Sequence, residues 1–134
     1  MFIDACAIVS VLSNEPEADG YKAAIDRADA PWTSALAAFE AVLVLARPGK
    51  LGVGYSIVHE LMLLYFAERG IALKQLGDPK EVLRNAVTAA ERHGSGRKKL
   101  STFDCFHYAA AKAAGSPMLT LDRLLRETDV PTLP

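Results

Sequence analysis

Between Leu100 and Asp122 the chain reads, in order, as an acid, a helix, a strand and a second acid. Asp104 falls in the first turn after Ser101 or Thr102, either of whose hydroxyls can cap a helix by accepting an orphan backbone N–H. Ala109, Ala110, Ala111, Ala113 and Ala114 carry the helix, Gly115 can end it, and Pro117 cannot continue it. Met118-Leu119-Thr120-Leu121 is a short, mostly apolar run that suits a buried strand, with Asp122 at its carboxyl end. In open α/β sheets the carboxyl edge of the strands is where ligands collect.

The rest of the chain repeats this alternation. Phe2 to Val9 is a strand-like apolar run in which Asp4 is the only charge before Glu15, and Ala7 to Leu12 can begin a short helix. Asn14 is expected to cap a second helix, with Pro16 in its first turn, running to about Ala28. Pro31-Trp32-Thr33 reads as extended, and Ser34 as the cap of a helix from Ala35 to Ala46 that is apolar on every side. Pro48 to Gly54 is a loop whose glycines match neither a dinucleotide-binding nor a P-loop pattern. Ser56 to Glu68 is a further helix, and its segment Leu61 to Phe66 suits either a core helix or a subunit interface. His59-Glu60 fails as a zinc-protease motif because position 63 is Leu. Ile71 to Leu76 reads as a strand. Asp78-Pro79-Lys80-Glu81 starts a helix whose apolar face is Val82, Leu83, Ala86, Val87 and Ala90. Arg123 to Arg126 is a helical turn, and Val130 to Leu133 an edge strand. Strands alternating with helices over short connections predict a single three-layer α/β/α domain spanning 1–134, around a mainly parallel sheet of four or five strands.

Composition removes several alternatives. A chain of 134 residues with 51% hydrophobic and 23% charged residues is an ordinary globular type. Its longest central apolar run, Leu61 to Ala67, is far too short to cross a bilayer. The opening Met1-Phe2-Ile3-Asp4 lacks the basic region of a secretory signal, which points to the cytoplasm. Cys6 and Cys105 make no C-x-x-C or zinc pattern and read as free thiols. A net charge of −1 is no polycation, so binding to nucleic acid needs a local basic patch or a metal ion.

Four acids stand out, because Asp4, Glu40, Asp104 and Asp122 each interrupt an apolar or uncharged stretch. Three of them have an ordinary structural explanation. Asp104 can complement a helix dipole, Asp122 can cap the turn at Arg123, and Asp4 can accept backbone N–H groups at a strand end. Glu40 resists one, since it lies mid-helix beside Leu36, Leu43 and Val44 with no basic residue at i±3 or i±4. If the four converge, like charges repel, and one or more must protonate unless a cation holds them. Oxygen ligands with few imidazoles or thiolates select a hard ion, Mg²⁺ or Mn²⁺. Such a site suits metal-assisted phosphodiester hydrolysis with one ion or two. Arg97, Lys98 and Lys99 can grip phosphates at the mouth of that pocket, or simply form a solvated loop. His107, one turn from Asp104, can touch the substrate or serve as a hydrogen-bonded structural residue. Cys105 and His107 do not make a thiol hydrolase, because residues two apart on a helix do not face each other.

The segments Met1 to Ala7, Ser34 to Ala41 and Phe103 to Lys112 resemble the three acidic motifs of PIN-domain ribonucleases, and more narrowly those of VapC-type toxins of toxin–antitoxin pairs. His93-Gly94-Ser95-Gly96-Arg97 and Leu119-Thr120-Leu121-Asp122 fit the same family, so the likeness covers essentially the whole chain. The resemblance implies a Mg²⁺- or Mn²⁺-dependent endoribonuclease, usually dimeric, silenced by a cognate antitoxin whose C-terminal segment lies across the active-site groove. Asp4 and Asp104 match the principal metal ligands, with Glu40 and Asp122 completing the acidic pocket. The chain departs from the pattern at Cys6, where the family often has Ser or Thr. The rival expectations are a catalytically inactive PIN-like interaction module, or a metal-dependent phosphohydrolase acting on DNA or small phosphate esters.

Overall fold

The structure, a computed structural model, describes residues 1–94 and 99–134. Among them, strands β1 (Phe2–Ile3), β2 (Trp32–Ser34), β3 (Ala72–Lys74), β4 (Met118–Leu119) and β5 (Thr132–Leu133) form one sheet. All of its pairings are parallel, in the order β3-β2-β1-β4-β5. Phe2 pairs with both Trp32 and Met118, which makes β1 the central strand. Helices α1 (Ala5–Ser13), α2 (Ala18–Asp26), α3 (Ala35–Leu45), α4 (Tyr55–Arg69), α5 (Pro79–His93), α6 (Thr102–Ala113) and α7 (Arg123–Arg126) connect the strands. The predicted α/β/α architecture and parallel sheet are thus what the chain adopts. α1 packs on α2 and α3, α5 packs on α6, and α3 also touches α6.

The strand order places the site. From β1 the chain moves outward to β2 and β3, then returns to the other flank of β1 at β4. The order reverses beside β1, and the crevice at the carboxyl ends of β1 and β4 is where an open α/β sheet offers a ligand room. Asp4 follows β1 directly, Ser34 ends β2 and starts the helix carrying Glu40, and Thr120 and Asp122 follow β4.

Local chemistry fixes the elements that carry these residues. Asp4 ends β1 after two residues because its carboxylate accepts from Ala5 N at 2.8 Å and starts α1 there, earlier than the Ala7 start expected. Ser34 caps α3 by accepting from Ala37 N at 3.1 Å. Of the two candidate caps for α6, Ser101 is the one used. Its hydroxyl accepts from Asp104 N at 3.1 Å, while Asp104 Oδ2 accepts from Ser101 N at 2.6 Å, a reciprocal capping box. Asn14 does not cap the second helix. It closes the first one in the left-handed conformation at φ 52°, which Asn tolerates better than most residues, and its N–H returns to Ser10 O.

The core is built on Phe2, Ile3, Met118 and Leu119, all essentially enclosed, with Ile8, Leu45, Tyr108 and Leu125 from the helices. α4 is only half a core helix. Val58, Met62 and Phe66 turn inward, while Tyr55, Ile57, Leu61 and Leu64 remain exposed. On α5, Leu83 and Val87 are likewise exposed rather than part of the buried face, which is Val82, Ala86 and Ala89.

Asp129 ties α6 to the segment before β5. It accepts from Tyr108 Oη at 2.8 Å and from Lys112 Nζ at 2.7 Å, and Arg92 stands 3.9 Å away. The bonds from Lys112 and Tyr108 hold the Asp129 carboxyl below its ordinary range. A depressed folded-state value means stability that is present above the unfolded value and lost as pH falls through the folded one. Asp129→Asn is therefore expected to lower the urea midpoint at pH 7, with the gap to wild type closing as the pH drops through the carboxylate range. Because the pair is largely exposed, the effect is small; parallel curves at all pH values would show that the charge contributes nothing.

Candidate active site

Asp4 is the buried heart of the crevice, only 3% exposed. Its Oδ1 accepts from Ala5 N, and its Oδ2 accepts from the Thr120 hydroxyl at 2.8 Å. Burial pushes its carboxyl up from the ordinary value, against the opposing pull of His107 and of the Cys6, Thr120 and Ala5 hydrogen bonds. A carboxylate so enclosed, with no Lys or Arg beside it among the described residues, is an energetic cost that a cation would offset.

Glu40 finds its partner far along the chain. His107 Nε2 donates to Glu40 Oε2 at 2.6 Å and lies 3.8 Å from Asp4 Oδ1, so one imidazole joins the acid of β1 to the acid of α3. For His107 itself burial favours the neutral ring, but the Glu40 hydrogen bond and the charges of Asp4, Glu40 and Asp104 together outweigh it and raise its pKa. The ring has no exposed surface. His107 therefore cannot lie against RNA, as one sequence expectation had it: α6 turns it inward, toward the acids.

Asp104 stands close enough for its charge to act on that ring, with Oδ2 committed to Ser101 N. Asp122 Oδ1 caps α7 by accepting from Leu124 N at 2.8 Å and Leu125 N at 3.1 Å. The ordinary capping roles of both acids are thus real, and each uses one oxygen. Among the described residues, Asp104 Oδ1, Asp122 Oδ2 and Glu40 Oε1 take no protein donor. Glu40 and Asp122 line one hollow of about 350 Å³ with Cys6, Tyr21, Glu15 and Glu17. The structure thus brings Asp4 to Glu40 through His107, and Glu40 to the hollow of Asp122. It does not close the set: among the described residues, no three His, Cys, Asp or Glu side chains already converge at metal-ligand spacing. The donor set is nonetheless oxygen-rich and anionic, the class that hard divalent cations take.

A model of the PIN domain family matches residues 1–131. The chain belongs to the PIN-domain family. Along its length it is similar to Ribonuclease VapC30 of Mycobacterium tuberculosis and to a VapC ribonuclease of Mycobacterium bovis. Each is 32% identical, over 99% of this chain and 98% of the relative. It is also 32% identical to Ribonuclease VapC of Mycolicibacterium smegmatis, over 97% of both chains.

Two features of this PIN domain escape the motif pattern. Cys6 takes the place of a hydroxyl without leaving a gap: its Sγ lies 3.2 Å from Thr120 Oγ1. Burial, and then the charge of Asp4, push its thiol up to about 12, so at neutral pH Cys6 is a neutral S–H donor and not a nucleophile. Thr120, fully enclosed, is the residue that sequence reasoning missed. Its single proton goes to Asp4 Oδ2, and its oxygen receives Asp122 N at 3.0 Å and faces the Cys6 thiol. The available signal was a hydroxyl inside the run Met118 to Leu121, two residues before Asp122. Of the basic loop, Arg97 and Lys98 lie outside the described residues, and Lys99 is exposed.

Proposed function

We propose that this PIN domain is a metal-dependent endoribonuclease of the cytoplasm, the toxin of a toxin–antitoxin pair, hydrolysing RNA phosphodiester bonds. The observation that carries the reading is the buried Asp4 carboxylate at the strand-order switch, joined to Glu40 through His107, in a chain that aligns end to end with VapC ribonucleases. Asp4 and Asp104 would hold Mg²⁺ or Mn²⁺, with Glu40 and Asp122 completing its shell directly or through water. The ion supplies Lewis-acid polarisation of the phosphoryl oxygen and a lowered pKa for a water.

The side chains supply the rest. Thr120 and Ala5 N fix the Asp4 carboxylate, and the Ser101 box fixes Asp104 on the first turn of α6. Glu40 Oε1 and Asp122 Oδ2 are the acceptors that can orient a water in the hollow. Hydrolysis adds that water's oxygen to phosphorus and expels a ribose oxygen, which leaves carrying a proton. Lys99, with Arg97 and Lys98 beside it in sequence, would hold flanking phosphates. The exposed Ile57, Leu61 and Leu64 on α4 offer the apolar area a homodimer needs, and the acidic groove is where a cognate antitoxin would block access.

The test is RNA cleavage by antitoxin-free protein with Mn²⁺, with chelator, and with Asp104→Asn. Cleavage should need the metal and fall at least about 10³-fold in the variant, the scale of losing several kcal/mol of metal-borne stabilisation. Equal cleavage in chelator would contradict the reading. Cleavage of DNA or a small phosphate ester in preference to RNA would reassign the substrate, and no cleavage of any would favour an inactive interaction module.

A further inference from the structure

We propose that His107 is a positioning residue, holding the Glu40 carboxylate over the end of β1 so that Glu40 meets an incoming divalent cation already oriented. This rests on the metal-dependent reading above. Among the described residues Glu40 has one hydrogen-bond partner, His107 Nε2 at 2.6 Å, and its own helix offers no basic residue at i±3 or i±4. The bond consumes Oε2 and leaves Oε1 without a protein donor among the described residues, on a side chain that lines the hollow shared with Asp122. Outer residues that fix a ligand's orientation in this way commonly contribute ten- to hundredfold to metal affinity.

The imidazole suits this because it is enclosed. It has no exposed surface, and Phe2 and Phe103 flank it with ring centroids 6.0 and 6.3 Å away. A Lys or Arg in its place would bring a long, mobile stem and lose rotamer entropy with each contact made. His107 Nε2 also lies 3.8 Å from Asp4 Oδ1, so the ring sets the distance between two acids borne on separate elements. A ligand role for His107 is the competing arrangement, and it would fall to Nδ1, which is buried and has no hydrogen-bond partner among the described residues.

The test is a double-mutant cycle on Mn²⁺ affinity, read by calorimetry on the intact chain without RNA. His107→Phe and Glu40→Gln should each weaken Mn²⁺ about tenfold, and the double variant should be no weaker than Glu40→Gln within about threefold, because His107 acts only through Glu40. An additive loss of about a hundredfold would overturn the proposal, as would unchanged affinity in His107→Phe. His107→Gln, which can present an N–H where Nε2 stands, guards against a folding failure. It should restore wild-type affinity within about threefold, and a Gln variant that folds but binds as weakly as Phe overturns the proposal. A wild type that binds no Mn²⁺ overturns the metal-dependent reading itself, which distinguishes that failure from this one.

Discussion

Asp4→Asn is expected to abolish RNA cleavage, by about 10³-fold or more, while leaving the metal-free protein at least as stable as wild type. The two effects have one cause. Asp4 is 3% exposed, and the hydrogen bonds it takes among the described residues come from the Ala5 amide, the Thr120 hydroxyl and the Cys6 thiol. Burial raises its carboxyl above the unfolded value, so its contribution to stability is complete below that value and is lost as pH rises through the folded one. At neutral pH the charge is then a cost to the fold, one that a bound cation would offset. Asparagine keeps the shape and an acceptor for Ala5 N and removes that cost. Thermal melts with and without Mn²⁺ check it. Wild type should gain several degrees on adding the metal, as binding to the native state requires, and Asp4→Asn should gain none. A variant destabilised in the absence of metal, or still stabilised by it, would count against a cation site at this acid.

Thr120→Val carries the second large effect. The substitution keeps the shape and deletes an enclosed hydroxyl that donates to Asp4 Oδ2, accepts from Asp122 N at 3.0 Å and faces the Cys6 thiol at 3.2 Å. It strands a buried charge and an amide together, so a loss of about 1–3 kcal/mol in unfolding free energy is expected. Cleavage should fall ten- to hundredfold because the Asp4 carboxylate is free to turn. Thr120→Ser keeps the hydroxyl and should restore most of both. Urea unfolding and initial cleavage rates measure the two losses. A Val variant that matches wild type in each would show that Thr120 only fills space.

The acids were legible because charge is conspicuous in an apolar run; their partners were not. Asp104 could be placed in a first turn, since Ser101 and Asp104 have capping-box spacing, and the reciprocal bonds follow from it. The partner of Glu40 lies 67 residues away on α6, and no local pattern encodes that meeting. It depends on α3 crossing α6, a tertiary fact. The same His107 looked like a substrate contact because helical spacing gives its distance from Asp104 but not whether the shared face is wet or dry. Asn14 suits both kinds of cap: Pro16 points to a helix start, whereas tolerance of positive φ makes Asn14 a helix end. On α4 the residues are apolar nearly all round, so periodicity could not separate Val58, Met62 and Phe66, which face the core, from Ile57, Leu61 and Leu64, which do not. Thr120 was hidden by its neighbours, since a hydroxyl between leucines reads as an ordinary strand residue.

The most direct test is calorimetric titration of Mn²⁺ into the wild type, Asp4→Asn and Asp104→Asn. These acids, one ending the central strand and one opening α6, are predicted to share a single cation, so wild type should bind Mn²⁺ saturably and either substitution alone should weaken it at least about a hundredfold. Undiminished binding in both variants, or no binding by the wild type, would contradict the account.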